Sequence, residues 1–102
     1  MNTDLQVIRL NGVEARRHIQ AGDMVLLDVR TSEEFQQGAL PGAMNLPWPR
    51  LKSVKVMERE TPILLYCDNG AKSRKAAEVL LALGFTRVYT MGAMAKYYQA
   101  TD

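Results

Sequence analysis

Two short apolar runs constrain this chain more than anything else in it: Met24-Val-Leu-Leu-Asp-Val29 and Ile63-Leu-Leu-Tyr66. Neither alternates apolar with polar residues, as a strand with one wet face must, and neither is long enough for a buried helix. Continuous runs of this length suit strands covered on both faces, and helices must supply the cover. The segments between them read as those helices, which makes an α/β fold with a mostly parallel central sheet of about five strands and helices on both faces.

The order of elements follows from local signals. Leu5 to Leu10 alternates weakly and predicts a short edge strand, and Asn11 and Glu14 stand at the spacing of a capping box for a helix over Gly12 to Gln20, ended by Ala21-Gly22-Asp23. After the strand Met24–Val29, Thr31-Ser-Glu-Glu34 opens a short helix with a second capping box, and Gly38 stops it. Pro41-Gly42 fits the centre of a type II turn leading to a brief strand over Met44 to Leu46. Pro47-Trp-Pro49 breaks regular structure. Arg50 to Arg59 then predicts an amphipathic helix with Leu51, Val54 and Met57 inward. The strand Ile63–Tyr66 ends at Cys67, a helix spans Ser73 to Leu83 with Gly84 as its C-cap, Arg87 to Met91 closes the sheet, and a terminal helix covers Gly92 to Ala100.

The 102 residues suit one domain over 1–102, built on one core. Thirteen Lys and Arg are scattered among eleven Asp and Glu for a net charge of +2, so no basic stripe points to nucleic acid or an anionic membrane. The mild positive bias suits a small anion. The opening residues are too polar for a signal peptide and no run approaches a membrane span, so the cytoplasm is the default address. One cysteine makes no internal disulfide, and one His with one Cys gives no metal-ligand spacing; no metal and no cofactor are expected.

That cysteine sits in Tyr66-Cys-Asp-Asn-Gly-Ala-Lys-Ser-Arg74. In open α/β sheets, ligands bind beyond the carboxyl ends of the strands, and Cys67 occupies such an end. Asp68, Asn69, Gly70, Ala71 and Lys72 are short, small or polar, and can curl so that successive backbone N–H groups point inward. Such a nest, the positive end of the next helix and Lys72 or Arg74 favour a thiolate, while Asp68 opposes them. The plain reading of a lone cysteine is a buried structural residue. Its place between a strand and a glycine-bearing helix start makes a nucleophile the stronger one. His18, on the first helix, reads as a solvent-facing or satisfied histidine.

Three stretches taken in order, Leu26 to Pro47, Tyr66 to Phe85 and Arg87 to Tyr98, resemble the rhodanese-like (sulfurtransferase) domain family along nearly the whole chain. The shared pattern is Asp28-Val29-Arg30 at a strand end, an acidic helix start, the Gly38-Ala-Leu-Pro-Gly-Ala43 turn, and a Cys-x-x-Gly-x-x-Ser loop ahead of a helix ending in Gly84-Phe85. The resemblance implies that Cys67 accepts a sulfane sulfur from a small sulfur-containing anion such as thiosulfate, or from a persulfide donor, and passes it to cyanide, a thiol or a protein acceptor. It implies that Asp68, Asn69, Gly70, Ala71, Lys72 and Ser73 bind the substrate, mainly through backbone donors. Four positions depart from the family pattern: Asp68 replaces a frequent arginine and should weaken attraction for thiosulfate, Ala39 replaces a histidine, and Ala93 and Tyr97 stand where Gly92 would be followed by a second glycine and then tryptophan.

Asp28 and Arg30 read first as a tether between loops, Trp48 as a lid over apolar surface, and Tyr97, Tyr98, Met91 and Met94 as the packing face of a terminal helix. Two other functions stay open. A cysteine phosphatase or arsenate reductase also uses a thiolate in an anion cradle, but needs arginine six positions after cysteine, where this chain has Ser73. A non-catalytic rhodanese-like binding or regulatory module is the other.

Overall fold

The computed structural model describes residues 6–53 and 57–100. Five strands, β1 Ile8–Arg9, β2 Val25–Asp28, β3 Met44–Asn45, β4 Ile63–Cys67 and β5 Val88–Ala93, form one sheet in the order β1-β5-β4-β2-β3. Every neighbouring pair is parallel. Four helices accompany them: α1 Gly12–Ala21, α2 Ser32–Gln37, α3 Ala71–Ala82 and α4 Ala95–Gln99, with a 3₁₀ segment at Trp48–Ser53. Among the described residues, no helix is long and apolar enough to cross a membrane.

The absence of alternation in the central runs now has its cause. In β4 all five residues are buried. Ile63, Leu65 and Cys67 pack with Ala76, Ala77 and Leu80 of α3, while Leu64 and Tyr66 pack with Ala15 of α1, Leu40 and Met91 on the opposite face. A strand with period-two side chains and two dry faces has no position left for a polar residue.

The local signals at the first two helices act as expected. Asn11 Oδ1 accepts from Glu14 N–H at 2.8 Å while Glu14 Oε1 accepts from Asn11 N–H at 3.0 Å. Thr31 and Glu34 repeat this at α2, each bond at 3.1 Å. Ala43 N–H donates to Leu40 O at 3.1 Å across the Pro41-Gly42 turn, and Gly42 takes the positive φ of +81° that a type II turn requires.

Four expectations change. The helix over Arg50–Arg59 is instead the short 3₁₀ segment Trp48–Ser53 followed, beyond the undescribed residues, by a turn at Glu58–Thr61. Val54 lies outside the described residues; Leu51 is buried and Met57 packs half-buried on the core. Arg59 accounts for the turn: its guanidinium donates to Leu83 O at 3.0 Å and lies 4.6 Å from the Phe85 ring centre, while its carbonyl accepts from Thr86 N–H. Those distant partners outweigh helical propensity. The terminal helix is Ala95–Gln99 rather than Gly92–Ala100, because β5 continues to Ala93 through a bulge that leaves Met91 the extra residue between Thr90, opposite Leu65, and Gly92, opposite Tyr66. Met91 is therefore a buried strand residue and not part of a helix face. The helix after Cys67 begins at Ala71, two residues before Ser73, and β1 is confined to Ile8–Arg9.

Candidate active site

The chain leaves β4 at Cys67 and reverses within three residues. Gly70 adopts φ +92°, a left-handed turn that an L side chain rarely takes, and α3 starts immediately after it. This reversal aims two amides at the sulfur: Gly70 N–H lies 2.9 Å and Ser73 N–H 3.4 Å from Cys67 Sγ. Both belong to the start of α3, where backbone N–H groups lack partners within the helix and the dipole is positive. Asn69 Oδ1 takes a third, Ala71 N–H, at 3.1 Å.

Not all six loop residues converge. Gly70 and Ser73 contact the sulfur, Asn69 braces the turn, Ala71 holds the first helical position, and the side chains of Asp68 and Lys72 face outward. Cys67 itself is fully buried, so the sulfur lies beneath its loop and not at an open mouth. Sequence reasoning missed the support under this loop. Ser73 Oγ–H donates to Gly70 O at 3.0 Å, Thr90 Oγ1–H lies 3.2 Å from Ser73 Oγ, and Gly92 N–H donates to Thr90 Oγ1 at 3.1 Å. The signal for it was a hydroxyl, Thr90, inside an otherwise apolar closing strand.

The Asp28–Arg30 pair is the tether expected of it. Asp28 is wholly buried at the end of β2 and accepts from Arg30 N, Nε and Nη2 and from Tyr66 O–H, at 2.7–3.0 Å. Arg30 Nη2 also donates to Gly38 O at 2.6 Å, and Tyr66 Oη accepts from Leu40 N–H at 3.0 Å, so the network fixes both ends of the segment Gly38–Leu40. The hydrogen bond to Asp28 raises the Arg30 pKa above its ordinary value, and burial pushes the Tyr66 phenol up.

Arg30 Nη1 extends the network to Asp68 Oδ1 at 3.5 Å. Asp68 also meets Glu34. The hydrogen bond between these two carboxyls, with the Thr31 groups that hold Glu34, lowers the Glu34 pKa to about 2. The same bond raises Asp68 above its ordinary value, aided by desolvation and opposed by Arg30. On this flank of the loop the two carboxyls thus stand with two cations, Arg30 and Lys72.

With the exception of Tyr98, which is too exposed to belong to a packing face, the remaining candidates fall where the plainer readings put them. His18 Nδ1 lies 2.9 Å from Asp23 Oδ1. Trp48 packs half-buried against the core. Arg16 lies 5.1 Å from the Tyr97 ring centre, and Tyr98 is exposed. Arg74, one position past the phosphatase arginine, has a side chain 73% exposed with Nε 3.7 Å from Glu78.

Comparisons with known proteins show what the chain is similar to. A model of the rhodanese-like domain matches residues 12–100. The chain is 39% identical over 67 residues to the protein YqhL of Bacillus subtilis, covering 65% of this chain and 53% of that one. It is 27% identical over 84 residues to the thiosulfate sulfurtransferase GlpE of Coxiella burnetii, covering 81% and 78%. The match spans about half of YqhL and only 15% and 22% of two longer relatives. Among solved structures, the human single-domain sulfurtransferase TSTD1 superposes with a TM-score of 0.76 at 25% identity, covering 94% of this chain and 97% of that one. With the family model covering residues 12–100, the chain belongs to the rhodanese-like domain family.

Proposed function

We infer that this protein is a sulfurtransferase in which Cys67 carries a sulfane sulfur from donor to acceptor. The observation behind this reading is the pair of amides, Gly70 N–H and Ser73 N–H, directed at Cys67 Sγ. Donors fixed in that way stabilise a charged sulfur without a separate base, and a covalent intermediate divides the transfer into two displacements. In the first, the Cys67 thiolate attacks the outer sulfur of the donor, an S–S bond forms, and the donor's own S–S bond breaks with its electron pair leaving on sulfite or a thiolate. In the second, cyanide or a thiolate attacks the outer sulfur, and the Cys67 thiolate is released.

The names of GlpE and TSTD1 support the class of reaction. The lone cysteine suits a reducing compartment such as the cytoplasm. A phosphatase loses support from Arg74, whose guanidinium is spent on Glu78 at the exposed side of α3, and Ser73 in the key position offers no bidentate grip. The fully buried sulfur is what a non-catalytic module would share, so the decisive test is chemical. Protein incubated with thiosulfate should gain one sulfur atom in mass at Cys67, cyanide should release it as thiocyanate, and Cys67→Ser should abolish both. Phosphate release from an aryl phosphate with no sulfur uptake would reject the assignment in favour of a phosphatase, and neither reaction would favour the binding module.

A further inference from the structure

Thr90 is a buried polar residue of β5, and the bulge in that strand decides what it faces. It stands opposite Leu65, whose side chain packs with Ala76 and Ala77 of α3. Residues paired across neighbouring strands share a face, so the Thr90 hydroxyl is turned toward α3. Past the bulge, Gly92 adopts φ +78°, and its N–H turns back to donate to Thr90 Oγ1 at 3.1 Å.

A hydroxyl carries a single proton, and this fixes the direction of each bond beyond it. Ser73 Oγ–H donates to Gly70 O at 3.0 Å, so Ser73 Oγ meets Thr90 Oγ1 as an acceptor, 3.2 Å away. Thr90 accepts from Gly92, and the nearer acceptor for its own proton is Ser73, since Leu65 O lies at 3.4 Å. The donors therefore run one way, from Gly92 N–H through Thr90 and Ser73 to Gly70 O, and bonds aligned in series strengthen one another. Ser73 is wholly buried and Thr90 is 7% exposed, which shields the chain from competing solvent. It ends on the two residues whose amides meet Cys67 Sγ, Ser73 at 3.4 Å and Gly70 at 2.9 Å.

We propose that Thr90 is a positioning residue for the Cys67 nucleophile: its hydroxyl ties the start of α3 to β5 and so holds the Ser73 and Gly70 amides on the sulfur. The inference rests on the sulfur-transfer reading and adds a residue outside the loop that serves it. Amides directed at a sulfur stabilise a thiolate more than a thiol, because hydrogen bonds to the charged form favour it. Without the Thr90 hydroxyl, Ser73 keeps its bond to Gly70 O, but the pair loses its anchor on the sheet. The Ser73 amide contact, already the longer of the two, is the first to open.

The test is a pair of substitutions at one position: Thr90→Val keeps the shape and removes the hydroxyl, and Thr90→Ser keeps the hydroxyl. Cys67 is the only cysteine, so thiolate ultraviolet absorbance against pH, with Cys67→Ser protein as the baseline, reports this sulfur alone. In Thr90→Val the midpoint should move to higher pH by about half to one unit, and kcat for transfer from thiosulfate to cyanide should fall about threefold to tenfold with KM little changed. Thr90→Ser should restore both. Val88→Ala opens a cavity in the same strand without touching the hydroxyl chain, so it should lower Tm and leave the midpoint in place. An unmoved midpoint in Thr90→Val, no recovery in Thr90→Ser, or an equal shift in Val88→Ala overturns the positioning role. If Thr90→Val fails to fold, Ser73→Ala breaks the chain from its other end while keeping the backbone amide, and an unmoved midpoint there overturns the role as well. Sulfur transfer with an unmoved midpoint would sink this inference and leave the sulfurtransferase reading standing; a moved midpoint in a protein that transfers no sulfur would do the reverse.

Discussion

Removing the Asp28 carboxylate should be among the most damaging single changes outside the apolar core. Asp28 is 0% exposed and the Arg30 side chain 6%. Five contacts of 2.7–3.0 Å end on the two carboxylate oxygens. In Asp28→Ala the guanidinium stays buried with Gly38 O and the 3.5 Å contact to Asp68 as its remaining partners. Breaking a buried pair from one side costs about 3–5 kcal/mol, because an uncompensated charge is left behind. For a domain of this size, the lower figure lowers Tm by roughly 12 °C or more. Urea denaturation followed by circular dichroism reads the loss, and the double variant Asp28→Leu/Arg30→Met separates its cause. If the penalty is the stranded charge, removing both partners should recover about 2 kcal/mol of it, since apolar replacements of buried pairs are often near neutral. A loss below about 1 kcal/mol in Asp28→Ala, or a double variant no more stable than the single, would refute the reasoning.

Two further outcomes follow from single contacts. Asp68→Asn should raise thiosulfate loading of Cys67 about threefold to fivefold at low salt, by removing one negative charge near the approach path, and Asp68→Arg should raise it further. Because Glu34 raises the Asp68 pKa above its ordinary 3.8, that charge is absent below the raised value and present above it. The advantage of Asp68→Asn over wild type should therefore grow as pH climbs through that value, and a ratio flat with pH rejects this role. At the α1–α4 contact, a Cβ on Gly12 would lie 2.6 Å from Lys96 O, a backbone atom that has no rotamer to escape by. Gly12→Ala should destabilise by about 1–3 kcal/mol on thermal melting, and a higher Tm, as helix propensity alone favours, would show that the contact yields.

Those elements were legible whose causes are local. The β2 and β4 runs, the Asn11–Glu14 and Thr31–Glu34 boxes and the Pro41-Gly42 turn each depend on residues within a few positions of one another, and each formed in its expected place. The failures are contacts made at long range. Nothing near Arg59 in sequence announces that Leu83, Phe85 and Thr86 will hold it in a turn, and nothing near Gly92 announces that Tyr66 and Cys67 will draw β5 two residues further through a bulge. The early start of α3 has a third cause. A left-handed Gly70 shortens the loop, so two presumed loop residues, Ala71 and Lys72, become the first helical turn.

The same division applies to the site. A strand-end cysteine before a glycine and a helix predicts inward amides, and two of them reach the sulfur. Its burial depends on apolar residues of other elements, Leu27 and Ala76 among them, and the loop's support on Thr90 meeting Ser73. Charge follows this rule most strongly. A net charge of +2 spread evenly through the sequence suggests a weak, uniform attraction for anions. Folding brings Glu34 of α2 to Asp68 on one side of the loop, and Arg9 of β1 to Lys96 of α4 on the other. Charges scattered along the sequence thus meet in local groups around the Cys67 loop, a placement that net charge does not predict.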